Sequence, residues 1–427
     1  MRRHHAGVVL TLVGTLALTA SMAGPQVAAS SGKPVVVRMW NGATGPGATA
    51  LTYMVNWFNR THKDVFIKNR FITQSDQLLA KLSTALKVNA EPTILLGDTP
   101  TDGPELMKSG KLLHLNGTIP AIDKEVYPAY VKAATYRGVQ FAVPYEGGDY
   151  ALYYNKAEFK AAGIKHPPTT WAQVIQDGKK LTDPAKNRYG IYVPFGHTEW
   201  TVWTWEGMLW AEGGHFLNKS KTAVAFDSPQ GIAALTLWHN LLYKYKVAPL
   251  TSFATPANSD GEQAFASGLV AMLIDGSWDL TTFKSAHIDY GVTYFPAIKE
   301  YATNTGEGVI DVFNTSGPQV HGAIEFIDWL MTPAHLAKWF SMIPGSMPIE
   351  PAVLKDPVYV KSEAPYANVF NAEQKYAHAR PTLVSYPQIS AVLGKEIDLV
   401  LHNDISPAKA LAVAAKQANA ILKANHE

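Results

Sequence analysis

The chain has 427 residues, with 37 Lys and Arg against 35 Asp and Glu, and no cysteine. That balance gives no electrostatic reason to expect nucleic acid or an anionic membrane as a partner, and the absence of thiols excludes disulfides, thiolate metal sites, a thiol nucleophile and a lipid-bearing cysteine. The length exceeds what one hydrophobic core usually supports, so two domains are expected.

Residues 1–29 read as a secretory signal peptide: Arg2 and Arg3 form a positive start, Gly7 to Leu18 is an apolar run, and "PQVAAS" supplies small residues for cleavage. Without Arg2 and Arg3 the basic count falls from 37 to 35 and equals the acidic count. No later segment approaches the roughly 20 apolar residues of a membrane span. A free periplasmic or secreted protein is therefore expected.

Strands are predicted at 35–40, 64–71 and 93–96, alternating with helices near 48–61, 76–89 and 102–109. This βαβ pattern implies a sheet covered on both faces, with ligands at the strand ends. After the first strand, "GATGPGAT" from Gly42 to Thr49 nearly spells the nucleotide loop G-x-x-x-x-G-K-[ST], but Ala48 stands where the lysine belongs. Backbone N–H groups at such a helix start can still donate to an oxygen-rich ligand.

"GVQFAVPYEGGDYALYYN" reads as an extended crossing between lobes. From Lys156 the pattern turns helical, and Thr170 is placed to cap a helix begun at Trp171. Helices near 229–245 and 259–267 follow. "LVAMLIDGSW" reads as a buried strand ending in a glycine turn, and "IDYGVTYFPAI" as a second crossing. The chain closes in helical patterns at 317–342, 387–402 and 407–424. Two α/β lobes joined by extended crossings leave a cleft between them, an architecture suited to closing on a ligand. The 11 Trp and 19 Tyr, many in loops, suit a ligand with flat apolar faces and many hydroxyls.

Five stretches stand out: "VVVRMWNG…MVNWFNRTHKDVFI", "LLAKLSTALKVNAEPTILL", "VPYEGGDYALYYNKAEFKAAGIKHPPTTWAQV", "FASGLVAMLIDGSW…IDYGVTYFPA" and "SPAKALAVAAKQANAIL". Together they resemble the extracellular solute-binding proteins of sugar-importing ABC transporters, the family that includes maltose-binding and glycerol-3-phosphate-binding proteins. The resemblance implies the type II, Venus-flytrap fold of periplasmic binding proteins, with 33–142 plus 292–330 as one lobe and 146–288 plus 335–427 as the other. It implies capture of a carbohydrate, a di- or oligosaccharide, for delivery to a permease, by a monomer without cofactor or catalysis. A glycerol phosphate ligand is the rival within the family, and a secreted carbohydrate-active enzyme is the rival outside it.

The same resemblance nominates site residues. Trp40 and Asn41, at the end of the first strand, and Thr44, in the loop beyond, match cleft positions. Asp98 reaches the cleft edge, next to Gly97 where the maltose-binding member has an aromatic residue. Gln74, Ser75 and Gln77 open the second helix at a place where relatives sometimes contact ligand, with helix capping as the competing role for Ser75. Tyr145 and Glu146 follow the proline of the first crossing, and Glu146 stands in a Gly-flanked, otherwise uncharged stretch as a hydroxyl acceptor.

In "HTEWTVWTWEGMLWAEGG" the spacing puts Trp200, Trp203 and Trp210 on one helical face, the usual mark of core packing. Counting back from the Gly213–Gly214 landmark sets Trp203 where the maltose-binding member stacks a ring on sugar, so Trp203 or Trp205 is expected to contact ligand. Trp278 matches a Trp that stacks on sugar in the family, with Gly276 and Ser277 letting the backbone approach closely. Arg380 could hold a phosphate, hydrogen-bond a neutral sugar or form a salt bridge between lobes. The 14 histidines show no tight ligand spacing, so no metal site is expected.

Overall fold

The computed structural model describes residues 32–72, 75–98, 100–119, 126–250 and 260–427. Within residues 34–427, β1 (Val35–Asn41), β2 (Val65–Phe71) and β3 (Ile94–Asp98) begin a nine-stranded mixed sheet. β1 lies between the other two and parallel to both. The connecting helices, Gly45–Thr61 and Ser75–Lys87, are amphipathic crossovers of the kind parallel pairing requires. β2 is an edge strand. Asn59 covers part of that edge, its amide receiving the Ile67 N–H at 2.8 Å and donating to the Ile67 carbonyl at 3.0 Å.

β4 (Thr135–Tyr136) and β5 (Val139–Gln140) form a small hairpin. It leads into β6 (Ala142–Asn155), a strand of 14 residues. Further on come β7 (Met272–Gly276), β8 (Tyr290–Tyr294), β9 (Thr303–Val312), β10 (Met347–Pro348) and β11 (Ala377–Ala379).

β6 has two halves. Ala142 to Asp149 pair antiparallel with β9, whereas Tyr150 to Asn155 run between β7 and β8. β9 in turn pairs with β3 through Val309 to Val312. Two large hydrophobic cores flank this rail. One gathers Val37, Met54, Phe58, Ile310, Phe326 and Trp339, with Val143 and Tyr145 from β6. The other gathers Trp171, Trp205, Phe226, Trp238, Leu393 and Leu411, with Tyr150 and Leu152 from β6. Residues 336–359 contribute Leu336, Phe340, Ile349, Val353 and Tyr359 to the first of these.

Two expectations change. "IDYGVTYFPAI" does not cross between cores: β8 within it pairs with the second half of β6. β9 makes that crossing, and it reads poorly as a strand because Thr303 to Gly308 is polar and glycine-rich. Thr303, Asn304 and Thr305 are nonetheless buried, with Thr303 Oγ1 donating to the Tyr150 carbonyl at 3.0 Å and the Asn304 amide N–H donating to the Trp203 carbonyl. The helical pattern at 317–342 is two helices, Gly317–Leu330 and Pro333–Phe340, because proline lacks the N–H that would continue the first. The cap at Thr170 is present, its hydroxyl accepting the Gln173 N–H at 3.3 Å. Among the described residues no helix is long and apolar enough to cross a membrane.

Candidate ligand-binding site

Among the described residues a cleft of about 1220 Å³ opens beside the crossing strands β6 and β9. Its walls come from distant parts of the chain: Thr44 and the first turn of helix Gly45–Thr61 (Pro46, Gly47), β6 (Glu146 to Gly148), the start of helix Glu199–Ala211, the turn after β7, β9, the loop 343–346, and the segment from Arg380 to Ala391. Of the residues nominated from sequence, Thr44, Glu146, Trp203, Ser277, Trp278 and Arg380 share this cleft.

The aromatic wall is built on glycines. Trp278 is 40% exposed, and its indole lies so close to Gly276 that a Cβ there would stand 2.1 Å from the ring. Trp203 likewise leaves only 2.9 Å for a Cβ on Gly306. The two indoles stack on each other at 6.1 Å and 23°. The Arg380 guanidinium sits over Trp203 at 5.2 Å, and Tyr150 tilts against it at 4.3 Å. Trp203 is therefore enclosed, at 8% exposure, while Trp278 offers an open aromatic face.

The polar wall centres on Glu199, a residue that motif reading passed over. Its Oε1 accepts Arg380 Nη1 at 2.9 Å and the Tyr386 hydroxyl at 3.0 Å, and its Oε2 accepts the Ser390 hydroxyl. The signal was present in sequence as the "TE" start of the tryptophan-rich helix, where Thr198 caps the Thr201 N–H. Among the described lining residues Arg380 is the only Lys or Arg, and its charge is answered by Glu199.

Glu146 owes its aim to a β-bulge: the β6–β9 register shifts between Pro144 and Glu146, which leaves Tyr145 as the extra residue. Burial raises the Glu146 carboxyl to about 7, against a smaller opposing effect of the Met347 N–H bond. Burial also raises the Tyr386 hydroxyl, and Glu199 and Glu206 push it further.

Five nominated residues lie elsewhere, each for a structural reason. Tyr145 stacks on Trp339 at 5.1 Å inside the first core. Trp205 is fully buried in the second, because every residue of its helix from Thr201 to Ala211 is buried and the helix has no exposed face for it to use. Trp40 packs against a smaller cluster around Leu78, Leu95 and Phe141. Asn41 is spent on structure, donating to Asn69 Oδ1 at 2.6 Å and accepting the Ala43 N–H at 3.0 Å. Gly276 is buried behind Trp278. The side chains of Asp98, Ser75 and Gln77, and all of Gln74, lie outside the described residues.

Residues 53–367 match the family described as bacterial extracellular solute-binding proteins. A maltotriose-binding protein of Pyrococcus abyssi is 25% identical over 272 residues, which cover 62% of this chain and 55% of that relative. The sn-glycerol-3-phosphate-binding periplasmic protein of Brucella suis is 24% identical over 448 residues, covering 97% of this chain and 99% of the relative. The crystal structure of the cyclic alpha-maltosyl-1,6-maltose binding protein of Arthrobacter globiformis superposes with a TM-score of 0.82 at 28% identity, covering 92% of this chain and all of that one.

Proposed function

The chain belongs to the bacterial extracellular solute-binding proteins, and from that premise we propose that it captures a carbohydrate, a di- or oligosaccharide, in the cleft beside β6 and β9 and delivers it to an ABC permease. It acts outside the cytosol as a monomer, and the sugar leaves as it arrived. The observation that carries the reading is Trp278, an open indole face at the edge of a cleft with Thr44, Glu146 and Ser277 around it. A pyranose presents apolar C–H surfaces to such a ring and hydroxyl edges to such polar groups. Trp203, Glu199 and Arg380 form the wall behind, in a fixed arrangement that needs little ordering when ligand arrives.

The glycerol phosphate ligand of the Brucella relative is the alternative. It needs a cation with charge to spare, and the pairing of Arg380 with Glu199 at 2.9 Å speaks for a neutral ligand. Calorimetry on residues 30–427 with maltose, maltotriose, a cyclic maltosyl tetrasaccharide and glycerol-3-phosphate tests both. Binding of a sugar, lost in Trp278→Ala, is the expected result. Binding of glycerol-3-phosphate alone, lost in Arg380→Ala, overturns the sugar reading. Recovery of intact sugar after long incubation is expected, and hydrolysis would overturn the non-catalytic part.

A further inference from the structure

Helix Tyr386–Leu401 starts without a cap of its own, since the Ser385 side chain makes no bond to the first turn. The first N–H groups of a helix need acceptors from somewhere. Here the N–H of Ser385, at the cap position, and that of Val384 before it find their acceptor 42 and 43 residues away. The Glu427 carboxylate accepts the Val384 N–H at 2.8 Å, the Ser385 N–H at 3.0 Å and the Ser385 hydroxyl at 2.5 Å. A negative charge at this end of a helix is also favoured by the helix dipole.

The same carboxylate accepts the Tyr136 hydroxyl of the β4–β5 hairpin at 3.1 Å, and Arg137 donates to the neighbouring His426 carbonyl at 2.9 Å. A further bond, from Thr382 Oγ1 to the Ala133 carbonyl at 3.1 Å, ties the loop itself to the chain just before that hairpin. The loop 381–385 therefore hangs from Glu427 and from the region around the hairpin. Its two ends are Arg380 and Tyr386, both on the cleft wall and both bonded to Glu199.

We infer that Glu427 is a positioning residue for the ligand cleft. By fixing loop 381–385 it sets the directions of Arg380 and Tyr386, and through them holds Glu199 and the face of Trp203. Charge-assisted bonds are the stronger class of hydrogen bond, so the carboxylate is a firm anchor for the Val384 and Ser385 amides. The consequence for binding rests on the cleft being the site proposed above; the consequence for the loop does not.

Hydrogen exchange on ligand-free protein, followed through residues 380–390, tests the loop directly. In Glu427→Ala the Val384 and Ser385 amides are expected to exchange at least about tenfold faster, with the interior of helix Pro407–Ala424 still protected. Glu427→Gln, which keeps an acceptor without the charge, falls between. Tyr136→Phe removes only the hairpin tie and leaves the fold intact, and a smaller change of the same kind is expected. In calorimetry with maltotriose, Glu427→Ala is expected to bind about tenfold more weakly at a nearly unchanged melting temperature. Unchanged exchange at Val384 and Ser385 overturns the inference. So does faster exchange with unchanged affinity, or faster exchange spread through the whole protein, which would make Glu427 a general stability residue. If the wild-type protein binds no sugar, the carbohydrate reading fails while the exchange comparison still decides whether Glu427 holds the loop.

Discussion

Trp203 and Trp205 stand two positions apart and have different surroundings. Trp203 borders the cleft through a thin exposed edge, whereas Trp205 is wholly enclosed. Trp205→Ala is expected to cost about 3 to 5 kcal/mol of stability by leaving a large cavity, which thermal denaturation would register. Trp278→Ala removes the open ring and is expected to lower sugar affinity roughly 30-fold, about 2 kcal/mol, with little change in melting temperature. A variant of Trp278 that melts early but binds normally would contradict this division. The residues could not be separated in sequence, because helical spacing shows which side chains share a face and not which faces are covered. Trp278 was nominated by its match to a family position after a Gly-Ser turn, and it stands exposed on the cleft wall. Glu199 was not legible, since one carboxylate among 35 acidic residues gains meaning only when Arg380, Tyr386 and Ser390 converge on it from almost 200 residues away.

At the scale of elements, the parallel start of the sheet and its crossover helices followed from alternating apolar runs and helical spacing. β9 did not, for a physical reason. Hydropathy assumes that buried means apolar, while Thr303, Asn304 and Thr305 are buried with both threonine hydroxyls and the Asn304 amide N–H donating hydrogen bonds. Such a strand is invisible to pattern reading until its neighbours are known. The edge strand β2 illustrates a different element property. The Asn59 amide imitates one residue of an adjacent strand, so Ile67 presents no open backbone pair to another molecule. Asn59→Ala is expected to cost about 1 to 3 kcal/mol and to promote association at high concentration. Sedimentation over a concentration series would detect the second effect, and a strictly unchanged monomer would contradict it.

For the whole molecule, several carboxyls are held above their ordinary range by burial. Glu146 and Glu262 are each raised to about 7, and Asp275 and Glu373 are pushed well up. A carboxyl raised in the folded state holds a proton there that the unfolded chain has released. Between the ordinary carboxylate range and about pH 7 the folded state therefore binds more protons than the unfolded one, and stability falls as pH rises. The slope is about 1.4 kcal/mol per pH unit for each full proton of difference. The ligand-free protein is expected to melt at a higher temperature near pH 5.5 than near pH 7.5, and Glu146→Gln to flatten part of that slope. A melting temperature that rises with pH across this window would contradict the assignment.

The path of β9 also governs how the protein comes into being. β3 needs β9 as its neighbour, yet residue 303 leaves the ribosome about 200 residues after β3 does, a delay on the order of 10 to 40 s at ordinary synthesis rates. Until then the first sheet has a vacant place at β3 and its core lacks Ile310, Phe326 and Trp339. The nascent chain consequently cannot complete this half early.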